Sequence, residues 1–294
     1  MNKTAKTDSD LPAGLYIIAT PIGNIRDITL RALDVLGKVD AIACEDTRVT
    51  GKLTSTYDIK APKIPYHDHN AEKTLPRLIS MLKEGQRIAL VSDAGMPLVS
   101  DPGYRLVTAC IEQDIPITCL PGASASLTAL ALSGLPAERF FFAGFLPPKS
   151  AARKTALTEI KDVPSALIFY ETAPRLVDSL QDMLIVLGDR PAAVARELTK
   201  KFEEVRRGKL SALIAHYREK GPPKGEIAIV VGRPEKGQKP VDPADIDKIL
   251  LQLMKDEGLS VKDAARRAAD ETGGKKRDLY QRALELSSGE EDDD

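Results

Sequence analysis

The sequence predicts an α/β protein of two successive domains followed by a small three-helix module. Three observations carry that expectation. From Leu15 onward, apolar runs of strand length alternate with helix-periodic stretches. The alternation restarts after a polar, turn-like stretch at Gly134 to Arg139. A segment rich in Pro, Gly and charge then separates the last apolar run from three helical candidates. A chain of 294 residues also exceeds the usual size of one core, which favours more than one domain.

Leu15-Tyr16-Ile17-Ile18-Ala19 reads as a buried strand, 29–39 as a helix and 41–44 as the next strand. Arg87 to Val91 and Pro116 to Leu120 continue the series. These runs are continuously apolar instead of alternating, the pattern of strands covered on both faces, so a parallel sheet with crossover helices is expected. The first domain is placed at 14–135 and the second at 136–233. The second carries strands at 140–145, 165–170, 192–198 and 226–231, and helices at 151–160, 175–187 and 210–218. Residues 234–243 read as a linker and 244–286 as the helical module, with helices at 244–256, 261–271 and 275–286. Ser260 is placed to cap the second of these, and Gly273-Gly274 divides the second from the third. Such a unit is compatible with a helix-turn-helix and equally with any small helical bundle. Residues 1–13 and 287–294 are expected as flexible tails.

Composition narrows the class. Hydrophobic residues at 43% and charged residues at 29% belong to a folded globular chain and exclude full disorder. Cys44, Cys110 and Cys119 are odd in number, far apart and set in apolar runs, against a disulfide framework or a zinc knuckle. No apolar stretch approaches the roughly 20 residues that span a bilayer, and Met1 to Asp10 lacks a signal-peptide core, so a cytoplasmic address without a membrane partner is expected. Net charge is only −1, yet Lys200, Lys201, Arg206, Arg207 and Lys209 crowd one segment and the stretch from Lys262 to Arg282 is basic as well. Local basic faces bind RNA even at a neutral total.

Open α/β sheets bind ligands at the carboxyl ends of their strands, so the informative residues are those that follow each strand. Four exits are rich in Gly, Pro, Asp and Ser: Thr20-Pro21-Ile22-Gly23-Asn24, Glu45-Asp46-Thr47-Arg48, Ser92-Asp93-Ala94-Gly95-Met96-Pro97 running on to Ser100-Asp101-Pro102-Gly103, and Pro121-Gly122-Ala123-Ser124-Ala125. One such loop reads as a helix cap, and Asp46, Ser100 and Ser124 are capping candidates. Four in succession read as the rim of a cleft. None is a dinucleotide or phosphate-loop fingerprint, so NAD and nucleoside triphosphates are not indicated.

Together these loops resemble the tetrapyrrole methylase superfamily over about 14–232, and within it the branch of 16S ribosomal RNA (cytidine-2′-O)-methyltransferases, whose terminal module the last helices also resemble. The resemblance implies two α/β domains with S-adenosylmethionine folded into a cleft between them, and a homodimer. The implied reaction is methylation of a ribose 2′-hydroxyl on a decoding-region cytidine of 16S rRNA, free or in the small ribosomal subunit. Carried over residue by residue, it places the cofactor at Pro21, at Asp93, Ala94, Gly95 and Met96, and at Ser124 and Ala125. The second domain would add Phe169 or Tyr170, Glu197, and Gly225, Glu226 and Ile227. A ligand with a sulfonium, an ammonium and a ribose wants acceptors, which Asp93 and the neighbouring backbone supply. The tetrapyrrole enzymes carry Gly-Asp-Pro where this chain has Ser92-Asp93-Ala94, which argues against a porphyrin or corrinoid acceptor. A small tetrapyrrole substrate remains the alternative reaction, and a non-catalytic RNA-binding assembly protein the alternative class.

Methyl transfer to a hydroxyl is an in-line displacement helped by orientation and by a general base. Glu45, Asp46 and the cluster His67-Asp68-His69-Asn70 are the candidates, with Asp46 or a neighbour as orienting or deprotonating group and Arg48 on a phosphate. His67 and His69 without a convincing third ligand make a weak metal motif, and no metal is expected. Lys149, Arg153 and Lys154, in a stretch that resembles a family motif, are candidate RNA contacts or else ordinary charges on an exposed helix. Lys275, Lys276 and Arg277 open the last helix and are the candidates in the terminal module.

Overall fold

The first half of the chain alternates without interruption: β1 (Gly14–Ile18), α1 (Leu30–Leu36), β2 (Ala41–Cys44), α2 (Thr47–Thr56), β3 (Lys63–Pro65), α3 (Ala71–Lys83), β4 (Arg87–Val91), α4 (Tyr104–Glu112), β5 (Ile117–Leu120) and α5 (Ala125–Ser133). The computed structural model describes residues 11–221, 223–234, 243–255, 257–272 and 276–288. β1 and β2 are buried at every position and β4 at all but its first. The strands pair in the order β3-β2-β4-β1-β5, every pair parallel. Parallel neighbours require crossovers, and the helices supply a cover for both faces. Leu78 and Leu82 of α3 with Leu106 and Cys110 of α4 pack on one face, and Ala32 and Leu36 of α1 with Leu53 of α2 pack on the other.

Two of these elements escape the periodicity reading. β3 has three residues of which only Ile64 is buried, so it leaves no apolar run. α3 carries Pro76 in its interior, a residue that reads as a helix breaker.

The second half builds another sheet from β6 (Phe140–Phe145), α6 (Ser150–Ile160), β7 (Ala166–Thr172), α7 (Leu176–Leu187), β8 (Pro191–Arg196), β9 (Glu204–Lys209), α8 (Leu210–Lys220) and β10 (Glu226–Val231). Its order is β6-β7-β10-β8-β9, parallel at β6–β7 and antiparallel at the other three pairings. Leu157, Leu180, Met183 and Leu213, from α6, α7 and α8, cover one face. The other face is covered by α5, whose Ala129 and Leu130 sit against Ile168, Ala195 and Val230. A helix that precedes the expected boundary at Leu135 thus completes the core of the sheet that follows it, and one compact unit runs to Gly232. The basic stretch around 200–209 supplies β9, the return strand of a hairpin with β8. Its cations are drawn into local partners: Lys200 pairs with Glu197 and Glu226, Arg206 with Glu204, and Arg207 donates to the Leu132 carbonyl.

A separate unit begins at Arg233 and contains α9 (Pro243–Lys255), α10 (Val261–Thr272) and α11 (Lys276–Ser288). Its core is Leu250, Leu253, Ala264, Ala265, Ala268, Leu279 and Ala283, the alanines letting α10 approach its neighbours closely. Ser260 caps α10 by accepting from the Asp263 N–H at 3.2 Å while its hydroxyl donates to the Asp263 carboxylate at 2.7 Å. An Arg282–Asp247 pair at 2.7 Å ties α11 to α9. Of the expected linker at 234–243 and the expected tails at 1–13 and 287–294, residues 235–242, 1–10 and 289–294 lie outside the described residues, as does the divider Gly273-Gly274 with Lys275, while Pro243 opens α9 and α11 runs on to Ser288.

Candidate active site

The four loops meet because the strands that deliver them are neighbours. Past the end of β1, Thr20 and Gly95 exchange backbone hydrogen bonds of 2.9 and 3.0 Å, stitching the first loop to the third. The Thr20 hydroxyl donates to the Ser92 carbonyl at 3.1 Å, and the Asp46 N–H donates to Asp93 Oδ1 at 3.1 Å, which joins the second loop to the third. On the other flank the Ala19 N–H donates to the Leu120 carbonyl at 3.4 Å. Gly122 comes so near that a Cβ there would lie 2.8 Å from that of Ala19, a contact no larger residue tolerates.

This rim forms one wall of a cavity of about 340 Å³. From the first sheet's loops come Ile22, Asp93 to Met96, Ser100, Asp101, Ser124 and Ala125; from the second sheet come Phe145, Tyr170 to Thr172, Ala195, Leu198 and Gly225 to Ala228. Ser124 also caps α5, accepting from the Leu127 N–H at 3.5 Å. Tyr170 is held edge-on by Phe142 and Phe145, with ring centroids 4.9 and 5.6 Å away. Glu171 is buried with its carboxylate already engaged by the Ser179 hydroxyl, the Thr172 N–H and Arg175. A second cavity of about 290 Å³ is lined by Glu45, Asp68, His69, Leu98, Ser100, Asp101 and Pro102, so Ser100 and Asp101 belong to the walls of both.

Of the residues expected at the cofactor, Asp93, Ala94, Gly95, Met96, Ser124, Ala125, Tyr170, Gly225, Glu226 and Ile227 line the first cavity together. Two expected positions stand outside the lining. Pro21 does not line it; its neighbour Ile22 does. Glu197 is also absent from the lining, because its carboxylate accepts from Lys200 Nζ at 2.9 Å and from the Glu226 N–H at 3.1 Å, bracing the start of β10. That brace explains Gly225, whose φ is +104° and where a Cβ would fall 2.4 Å from Glu197 Oε1.

The acidic residues here differ in electrostatic state. Asp46 caps α2 and is gripped by Arg48, whose side-chain and backbone hydrogen bonds hold its carboxyl down at about 2. Arg48 is 87% exposed but its guanidinium is turned back onto that carboxylate at 2.6 Å. Burial raises Glu45, and the nearby Asp93 and Asp68 add to the rise. Burial also raises Asp93, against the Asp46 N–H that lowers it. Asp101 is pushed furthest, to about 6, by burial and by the charges of Glu45 and Asp93, with the Ser92 hydroxyl opposing. Sequence reasoning quoted the Ser100-Asp101-Pro102-Gly103 turn but passed over Asp101; its place in the longest of the four loops was the available signal. His67 lines neither cavity, and its buried Nδ1 has no hydrogen-bond partner among the described residues, whereas His69 lines the second. Among the described residues no group of three or more His, Cys, Asp or Glu side chains is placed to hold a metal ion.

The expected RNA contacts divide. Arg153 is corrected: it is 3% exposed, and its guanidinium is bonded to Asp182 at 2.7 Å, inside the α6–α7 packing. Lys154 shares the same carboxylate at 3.4 Å, while Lys149 is exposed at the start of α6. Lys276 and Arg277 are exposed in the first turn of α11, and Lys275 lies outside the described residues.

Residues 14–214 match the family of Tetrapyrrole (Corrin/Porphyrin) Methylases, and 240–287 match the RsmI C-terminal HTH domain. The chain is 52% identical over 285 residues to a ribosomal RNA small subunit methyltransferase I of Mesorhizobium japonicum, covering 96% of each. It is 48% identical over 273 residues to the protein of the same name from Escherichia coli O157:H7, covering 92% of this chain and 94% of that one. Two solved structures share the fold. They are a Thermus thermophilus uroporphyrin-III C-methyltransferase complexed with S-adenyl homocysteine (TM-score 0.52, 19% identity, 74% of this chain and 97% of that one) and a diphthine synthase (TM-score 0.57, 15% identity, 74% and 89%).

Proposed function

Since the chain belongs to the tetrapyrrole methylase family, in its branch of ribosomal RNA small subunit methyltransferases I, we propose that it methylates the ribose 2′-hydroxyl of a decoding-region cytidine in 16S rRNA, with S-adenosylmethionine as donor. The observation that carries this reading is the meeting of the third and fourth loops with the ends of β7 and β10 around one cavity. Its volume lies within the range of small-molecule sites. The donor set suits a cationic, ribose-bearing ligand: Asp93 offers a carboxylate, and the backbone at Gly95 and Ser124-Ala125 is uncluttered by large side chains. S-adenosylmethionine supplies a methyl group already activated on a sulfonium. The chain's own work is orientation and shielding. Asp93 is fixed by the Asp46 N–H, while Tyr170, backed by Phe142, gives the cavity an apolar wall.

The substrate implies a cytoplasmic protein that meets the small subunit or its RNA. Among the described residues no helix is long and apolar enough to cross a membrane. Lys276, Arg277 and Lys149, exposed and outside the ion pairs that occupy Arg153 and Lys154, are the proposed phosphate contacts. A homodimer is part of the proposal: the edge strand β6, paired with β7, exposes Phe140 and Phe141, apolar surface suited to a second copy. Light scattering of the purified protein at twice the chain mass is the expected result.

The decisive experiment supplies the protein with S-adenosylmethionine and small subunits from a strain lacking this gene. Mass spectrometry of nuclease digests is expected to show one methyl added to a cytidine ribose. Transfer to a base or to a tetrapyrrole instead would refute the assignment.

A further inference from the structure

We propose that Asp101 is the general base of the transfer: standing in the wall shared by the two cavities, it takes the proton of the acceptor hydroxyl. This inference rests on the methylation reading above and adds to it a residue and a place for the acceptor. In-line displacement requires the nucleophilic oxygen to reach the methyl carbon from the side opposite the sulfur, so the acceptor must enter from space that borders the donor cavity. The cavity lined by Glu45, Asp68 and His69 is such a space, and Ser100 and Asp101 are what the two have in common. A nucleoside ribose seated there presents its hydroxyl to the Asp101 carboxylate.

The other carboxylates are less suited. Asp46 is neutralised by Arg48 and lines neither cavity. Glu45 lines only the second and Asp93 only the first. Asp93 is in addition engaged by the Asp46 N–H at 3.1 Å. The groups that face Asp101 are Glu45 from the end of β2, Asp93 from the end of β4, Asp68 and His69 from the loop before α3, and Tyr170 from β7. Burial, with the charges of Glu45 and Asp93, raises Asp101 to about 6, which leaves it ionised at neutral pH yet a far better proton acceptor than an ordinary carboxylate. In the step itself the hydroxyl oxygen forms the new bond to carbon. The C–S pair departs on sulfur to leave a neutral thioether, and the hydroxyl proton passes to an Asp101 carboxylate oxygen, from which it is lost to solvent.

The test uses the full chain as wild type, Asp101→Asn and Asp101→Glu, with small subunits lacking the modification. Three measurements are made: single-turnover rates across pH, S-adenosylhomocysteine affinity by calorimetry, and carboxyl titration by carbon-13 NMR. Asp101→Asn is expected to bind S-adenosylhomocysteine within about threefold of wild type and to lose about 10²- to 10⁴-fold in rate, the usual worth of a positioned base. The wild-type rate is expected to fall about tenfold per pH unit below an apparent value near 6, and a carboxyl titrating there is expected to vanish in the Asn variant. Asp101→Glu is expected to recover part of the rate with its acid limb shifted. An Asn variant within threefold of the wild-type rate, or one that keeps the acid limb, overturns the proposal. Should that variant not fold, a wild-type rate that stays flat down to about pH 5 overturns it equally. A wild type that neither binds S-adenosylhomocysteine nor methylates the particle refutes the methylation reading itself, a result distinct from all of these.

Discussion

At the scale of single residues, the site shows how one carboxylate differs from another by its surroundings alone. Asp46, Asp93 and Asp101 all follow strands of the same sheet, yet Arg48 holds the first at about 2 while burial among like charges lifts the last to about 6. That elevation has a thermodynamic sign. Folded Asp101 retains its proton where the unfolded chain has lost it, so stability falls as pH rises from the ordinary carboxylate value to about 6, and the full penalty stands above that. Asp101→Asn is therefore expected to melt higher than wild type near pH 7.5, by up to about 2 kcal/mol once water access is allowed for, and to show no advantage near pH 4. Thermal melts at the two pH values check it. Asp93 and Ser124 were legible in the sequence because strand-exit loops announce themselves by composition. Pro21 and Glu197 fell just outside the cavity because a loop's sequence does not say which of its adjacent side chains turns inward. Arg153 shows the same limit from the other side: a cation in a basic stretch looks like surface until its partner, 29 residues further along in Asp182, is known to face it.

At the scale of elements, that Arg153–Asp182 pair is what locks α6 to α7. The Ser150 hydroxyl and Lys154 complete the shell around Asp182, and although burial alone would raise the carboxyl, Ser150 and Arg153 hold it below the ordinary range. Both partners are about 95% removed from water, so deleting the guanidinium leaves a buried charge without its main partner. Arg153→Ala is expected to destabilise the fold by about 3–5 kcal/mol, with S-adenosylhomocysteine affinity unchanged in whatever fraction stays folded. Urea unfolding followed by circular dichroism, paired with calorimetry, separates the two effects. A loss confined to RNA binding would return Arg153 to the surface role first expected of it. Elements with strong apolar runs were readable at nearly their true bounds, as β1, β2 and β4 show. Those stabilised by their place were not: β3 and β9 are edge strands, one only three residues long and the other strongly charged, and each exists because a neighbouring strand offers it a ladder.

For the whole molecule, charge is distributed so that a nearly neutral chain still has basic places. Lys276 and Arg277 open α11 in the terminal unit, exposed. Replacing both by Ala is expected to weaken binding to 16S rRNA and to lower the slope of log affinity against log salt by about 1 to 2, while S-adenosylhomocysteine affinity stays as in wild type. Filter binding across a salt series reads this. Equal slopes for variant and wild type would remove the terminal helices from the RNA interface. The Pro and Gly content that follows Gly232 coincides with the end of the compact unit, whereas the packing of α5 on the second sheet left no mark in the sequence. Periodicity marks α5 as a helix but is silent on which sheet receives it.

That placement of α5 sets an order of assembly. As the chain leaves the ribosome, α5 emerges with its own strand series complete and its destination still unmade, since Val230, against which Ala129 and Leu130 come to rest, is synthesised about a hundred residues later. Until β7, β8 and β10 have all been made, part of its apolar flank stays uncovered. A shortened gene starting at Phe140 would encode a sheet with one face bare, and a genetic dissection of the second sheet has to cut ahead of Ala125 to keep that face covered.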